Sequence, residues 1–296
     1  MAEITASMVK ELRECTGAGM MECKKALADA EGDLDKAVDI LRTRGLASLA
    51  KKAGRATDEG TIAAYVASDG KAATLVEVNC ETDFVGRNAE FLGFAAQLAE
   101  HITAEMPADV AVLMSQTLKD RGLAVEEVLG EAVSKLGENM GVARFDRVEV
   151  TGNGAVVSYI HVGGKIGVLV ELGFTKPETA GNEAVVTFGR DIAMQVAATN
   201  PVSTRRDEVP QAIVDHEMEI YRAQAAESGK PEAIQEKMAA GRLEKYFKEV
   251  CLVEQIFVKD QSITVDQYRA RVSKEIGDEI TVVGFTRWTL GETAQG

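Results

Sequence analysis

The chain of 296 residues is 46% hydrophobic and 27% charged, an ordinary soluble globular composition, and at about 100–200 residues per domain it has room for two or three domains. Its 33 Lys and Arg against 47 Asp and Glu leave a net charge of −14, which argues against nucleic acid or an acidic membrane as the main partner, because binding to phosphate draws on Lys and Arg. Apolar runs are far shorter than the roughly 20 residues of a membrane-spanning helix. No secretory signal is expected from residues 1–10, and Cys15, Cys23, Cys80 and Cys251, with no metal-type spacing, predict reduced thiols in a cytoplasmic protein and no bound metal.

Residues 1–45 read as a small helical module. Thr5 is placed to cap a first helix carrying Met8, Val9 and Leu12, which the Gly17 and Gly19 region interrupts. A second helix carries Met20, Cys23, Leu27 and Ala30. After Gly32-Asp33, a third carries Leu34, Val38 and Leu41, and Gly45 is expected to end it. Three short helices bury little surface, so the unit suits docking better than catalysis. The glycine pair is a poor phosphate loop, since it follows a helix and lacks Gly-Lys-Ser/Thr. Met20 and Met21 are adjacent and cannot share one core face. One of them is expected at the surface, as a loosely packed side chain or as an adaptable contact for a partner. Residues 46–59 read as a connector, partly helical, with Lys51, Lys52 and Arg55 on a solvated face.

An internal repeat organises the middle. At an offset of 94, residues 60–107 align with 154–201 without a gap, and 12 of 48 positions are identical, among them Gly70/Gly164, Lys71/Lys165, Asn88/Asn182 and Pro107/Pro201. Each copy reads as a strand (62–66, 156–160), a glycine turn (68–71, 162–165), a returning strand (75–78, 168–172) and a helix that a proline closes. Third strands are expected at 143–150 and 280–290. The fold class is therefore α+β: a three-helix module, then two repeated subdomains at 60–151 and 152–296, each a small antiparallel sheet with helices on one face. Residues 108–141 read as helical. Residues 207–250 read as an inserted helical hairpin, either a protruding arm or a surface for a partner or a second copy. The copies differ after their second strands, where Thr82-Asp83-Phe84-Val85 stands opposite Lys176-Pro177-Glu178-Thr179. The shared fold does not demand Asp83-Phe84. Either Thr82 or Asp83 caps a helical turn with Phe84 packed beneath it, or the segment serves a function.

No nucleophile elbow, zinc-protease helix, P-loop or dinucleotide fingerprint is present, and the three histidines fall in different modules. A binding protein gains over an enzyme by this elimination. An enzyme with a dispersed site and a nucleic-acid-associated helper remain as alternatives.

The run Thr16-Gly-Ala-Gly-Met-Met-Glu-Cys-Lys-Lys-Ala-Leu27 resembles the N-terminal signature of the bacterial elongation factor Ts family. Leu75-Val-Glu-Val-Asn-Cys-Glu-Thr-Asp-Phe-Val85 resembles its second signature, and His161-Val-Gly-Gly-Lys-Ile-Gly-Val-Leu-Val170 a third. Module order agrees along the whole chain. Glu22 stands where the family often has Asp and keeps its charge. The resemblance implies a nucleotide exchange factor that acts on the GTPase elongation factor Tu by protein contact, with no cofactor, no catalytic residue and no direct binding of nucleic acid. It implies a ubiquitin-associated-like N-terminal module that contacts the GTPase through Arg13, Met20 and Met21. It places Thr82, Asp83, Phe84 and Val85 beside the GTPase's Mg²⁺ and nucleotide, and His161, Gly163 and Gly164 at a distal domain of the partner.

Overall fold

The computed structural model describes residues 4–292. Three helices open it: α1 (Ala6–Thr16), α2 (Met20–Asp29) and α3 (Leu34–Lys52). Thr5 accepts a hydrogen bond from the Met8 amide at 3.3 Å, Asp33 accepts one from the Lys36 amide at 3.1 Å, and Gly17 ends α1 at φ +67°. Leu12, Cys23, Leu27 and Ala37 form the module's core. The third helix does not end at Gly45. It runs on to Lys52 and takes up half of the expected connector. A glycine inside a helix costs only about 1 kcal/mol, and here Gly45 packs against a neighbouring backbone.

The first half follows as β1 (Glu59–Val66), β2 (Ala72–Cys80), α4 (Asp83–Gly86) and α5 (Ala89–Glu105), then α6 (Val110–Ser115), β3 (Thr117–Leu118), β4 (Leu123–Ala124), α7 (Val125–Leu136) and β5 (Met140–Glu149). The expected helical stretch 108–141 is thus split by a two-stranded hairpin, where Leu118 O accepts the amides of Arg121 and Gly122. Strand β5 starts at Met140 rather than 143, because its first residues pair with Cys80 to Val78 beyond a bulge. The second half comprises β6 (Gly154–Ile160), β7 (Ile166–Phe174), α8 (Glu183–Thr199), α9 (Gln211–Ala226), α10 (Glu232–Val250), β8 (Ile256–Phe257), β9 (Asp260–Thr264), α11 (Val265–Ile276) and β10 (Ile280–Thr289). Helices α9 and α10 form the inserted hairpin. Arg206 fixes its base, bonding Glu244 at 2.9 Å and Glu254 at 2.6 Å and lying 4.9 Å from the Phe247 ring centre.

The two sheets are antiparallel, ordered β1-β2-β5 and β10-β7-β6. Each central strand is buried on both faces. Val76 and Val78 point to the first half's helices, whereas Ala73 and Leu75 point to the second sheet, as the two-residue side-chain period requires. Leu169 meets them from β7 while Val168, Val170 and Leu172 face α8 and α11.

The contact between halves is reciprocal, in the manner of an isologous dimer. The Ile62 amide donates to Gly164 O at 2.7 Å, and its repeat mate, the Val156 amide, donates to Gly70 O at 2.8 Å. Lys71 Nζ reaches across to Gly152 O and Gly154 O, both at 2.8 Å, and Lys165 reaches back to pair with Glu59. This crossing accounts for a glycine and a lysine that both copies keep. Glu77, buried on the inter-sheet side, bonds Arg144 Nε at 2.9 Å and the Gly291 amide at 3.0 Å, tying the C-terminal strand to the first half.

Candidate protein-docking site

The segment 81–86 leaves the buried end of β2 and is held from three sides. The Thr82 hydroxyl donates to Glu138 Oε1 at 2.6 Å and its amide to Glu138 Oε2 at 3.0 Å. Glu81 accepts the Asn139 amide at 2.6 Å and pairs with Arg55 at 3.2 Å, and these contacts hold its carboxyl below the usual range. Cys80 Sγ lies buried against Thr82 O, and burial pushes its thiol up to about 11. On this base sits the single turn α4. Val85 points into the core, whereas Phe84 is 84% exposed. Asp83 pairs with Arg87 at 3.0 Å.

Phe84 therefore does not pack beneath a capping turn. Thr82 occupies the N-cap position, but its side chain makes no cap hydrogen bond; the hydroxyl is spent on Glu138. The second half shows what the shared fold does require. There the Lys176 amide and the hydroxyls of Thr175 and Thr179 donate to Asp278, which stands two residues before β10 as Glu138 stands two before β5. Those bonds hold the Asp278 carboxyl well below its ordinary range. Thr179 is buried like Val85, and Glu178 is exposed like Phe84. Both copies clamp a turn to a carboxylate. Only the first presents an aromatic ring to solvent.

Sequence reasoning missed Glu138, Asn139 and Arg87. The available signal was the acidic residue placed alike before both third strands. Of the expected solvated cluster, Lys52 instead donates to Val133 O at 3.1 Å, with its ammonium pKa lowered by burial, and Arg55 holds Glu81.

Met20 and Met21, at the start of α2, are 59% and 64% exposed, so both are at the surface rather than one. Cys23, Ala26 and Leu27 occupy the inward face of that helix. Arg13 is exposed on α1. His161 and Gly163 are exposed in the β6–β7 turn beside Val162, which is 88% exposed. His161 Nδ1 and the Tyr159 hydroxyl share a hydrogen bond at 3.0 Å. Gly164 is less free, because a Cβ there would land on the Thr61 hydroxyl. Its place is set by the contact between halves. The structure brings two of these elements together: Gly86, Arg87 and Leu92 line one shallow groove with Ile160, Gly163 and Gly164. Among the described residues no group of three or more His, Cys, Asp or Glu is placed to hold a metal, and no helix is long and apolar enough to cross a membrane.

Residues 81–292 match the family model for Elongation factor TS. The chain belongs to the elongation factor Ts family. It is 51% identical over 296 residues to Elongation factor Ts of Clostridioides difficile (strain 630), covering all of this chain and 95% of that relative. It is 50% identical over 290 residues to Elongation factor Ts of Clostridium kluyveri (strain NBRC 12016) and 46% identical over 290 residues to that of Trichlorobacter lovleyi. Each of these two alignments covers 98% of this chain and 93% of the relative. The matches to this elongation factor Ts family span both halves and the N-terminal module.

Proposed function

We propose that this chain is a cytoplasmic nucleotide exchange factor that binds elongation factor Tu in its GDP form and speeds GDP release by contact alone. The module within residues 1–45 would dock through Arg13, Met20 and Met21. The 82–85 turn would reach the Mg²⁺ and phosphate region, and His161, Gly163 and Gly164 would lie against a distal domain of the partner. The observation that carries the reading is Phe84: a large apolar ring held in solvent on a turn that Glu138 clamps, in one copy of a repeat whose other copy has Glu178. A ring so placed gains only on binding.

The chemistry follows from how such GTPases hold nucleotide. Mg²⁺ neutralises phosphate charge and a rigid loop cradles the phosphates. An apolar wedge with an adjacent carboxylate, Asp83, would raise the energy of that arrangement. Each 1.4 kcal/mol removed from the release barrier gives about tenfold in rate. The coupling is reciprocal, so bound nucleotide weakens the factor as much as the factor weakens nucleotide, and the GDP/GTP equilibrium itself is unmoved. Stopped-flow release of a fluorescent GDP from elongation factor Tu tests the reading. Acceleration by the wild-type chain supports it, and release at the spontaneous rate refutes it.

A further inference from the structure

We infer that Gly45 on α3 and Gly130 on α7 are positioning residues for exchange: their backbone contact welds the Met20–Met21 module to the half that carries Phe84. The inference rests on the exchange reading above. A Cβ built on Gly130 would lie 2.9 Å from the Gly45 carbonyl carbon and 3.1 Å from its oxygen, and one on Gly45 would lie 3.1 Å from the Gly130 carbonyl carbon. Two helix backbones thus touch at a point where an added side chain would press on the opposite backbone, whereas side chains ordinarily hold packed helix axes about 8–10 Å apart.

Helix α3 makes this contact consequential. Its first turns belong to the N-terminal core through Ala37, and its last turns belong to the first half, where Leu49 packs and Lys52 bonds Val133 O. It is one uninterrupted rod of 19 residues, roughly 28 Å long. The Gly45–Gly130 crossing fixes where that rod lies on α7. A second strut stands near the methionines. Lys135, paired with Glu90 at 2.7 Å, lies with its Nζ 3.0 Å from where a Cβ on Gly17 would stand, three residues before Met20. Between the struts a cleft runs past Ala18, Val38, Gly93 and Phe94. The module is therefore joined to the first half by the packing of α3 on α7, with Lys135 beside Gly17 on the far side of the cleft.

A fixed spacing between two contact patches has a kinetic meaning. Once one patch is docked, the other is presented at high effective concentration with no linker left to order. Loosening the weld leaves both patches chemically intact and removes only this advantage. The expected signature is a raised KM for the GTPase with little change in the rate at saturation.

The native thiols allow a direct test. Cys15 is exposed and Cys23, Cys80 and Cys251 are buried, so one spin label goes on Cys15 and a second on the exposed α5 surface through Ala96→Cys. Pulsed dipolar spectroscopy should give one narrow distance distribution, and Gly130→Leu should shift or broaden it. In unlabelled protein Gly130→Leu should raise the KM for elongation factor Tu·GDP roughly tenfold while changing the saturating release rate less than about twofold, with Gly130→Ala in between. If the Leu variant does not fold, Gly130→Ala, a single methyl on a better helix former, carries both measurements. An unchanged distance distribution overturns the weld. A shifted distribution with an unchanged KM overturns the positioning role alone. A wild-type chain that fails to accelerate release overturns the exchange reading, whatever the distances show.

Discussion

Replacing Phe84 by Ala separates binding from folding. Less than a fifth of the ring is covered in the free protein. Full burial of such a side chain is worth about 1.5–3 kcal/mol, so its removal should change folding stability by less than about 0.5 kcal/mol. If docking buries the exposed 84%, the lost stabilisation of the complex is about 1.3–2.5 kcal/mol, which is roughly a 10- to 70-fold loss in the rate constant for factor-promoted release at low factor concentration. The assay is stopped-flow release of a fluorescent GDP from elongation factor Tu, run beside a thermal melt of the factor. Wild-type kinetics from Phe84→Ala would falsify the wedge. A large fall in the melting temperature would show instead that the ring supports the fold, and the inference from its exposure would be lost.

Four further outcomes follow from the same geometry. Thr82→Val removes a hydroxyl bonded to a carboxylate at 2.6 Å and should cost about 1–2 kcal/mol, read in a urea titration, with slower release because the turn loses its clamp. Gly164→Ala should destabilise by more than about 2 kcal/mol, since it combines a left-handed φ with a clash against Thr61, whereas Gly70→Ala meets only Ala155 Cβ at 3.5 Å and should cost about 1 kcal/mol; comparing the two melts checks the difference. Met106 caps α5 at φ +49°, where its repeat mate is Asn200 at φ +46°, so Met106→Asn should stabilise by about 0.5–1 kcal/mol; equal urea midpoints would count against backbone strain at this cap. Asp278 has its pKa lowered by folding, so its contribution is present above the ordinary carboxylate pKa of about 3.9 and is lost as pH falls below it. Unfolding free energy measured from pH 6 to pH 3 should fall less steeply in Asp278→Asn than in the parent.

Local signals in the chain placed many of its elements, although not the hairpin at 117–124 or the strands and helix between 256 and 276. The glycine turns at 68–71 and 162–165 and the prolines after α5 and α8 lie where the pattern put them, and Asn88 and Asn182, identical in the repeat, both turn out to cap the helices that follow. The repeat made two equivalent halves legible, because positions that are alike in sequence face alike in space: Phe94 with Phe188, Leu75 with Leu169. It also marked Asp83-Phe84 as a departure from shared architecture.

What stayed hidden depends on residues far apart in the chain. Glu138 is marked in the sequence only by standing before its third strand as Asp278 does before the other; its role arises because β5 returns beside β2 and carries the preceding loop to Thr82. Gly45 reads as a helix stop until α7 brings Gly130 against it, since only the packed state offers a backbone contact that offsets the conformational cost of glycine. The exposure of both Met20 and Met21 was likewise undecided, because one face of α2 was enough for the small core beneath it. Periodicity, caps and turn chemistry are nearest-neighbour properties and are written in the sequence. Which groups are left in solvent, and which distant carboxylate holds them there, is decided only when the sheets and helices close on one another.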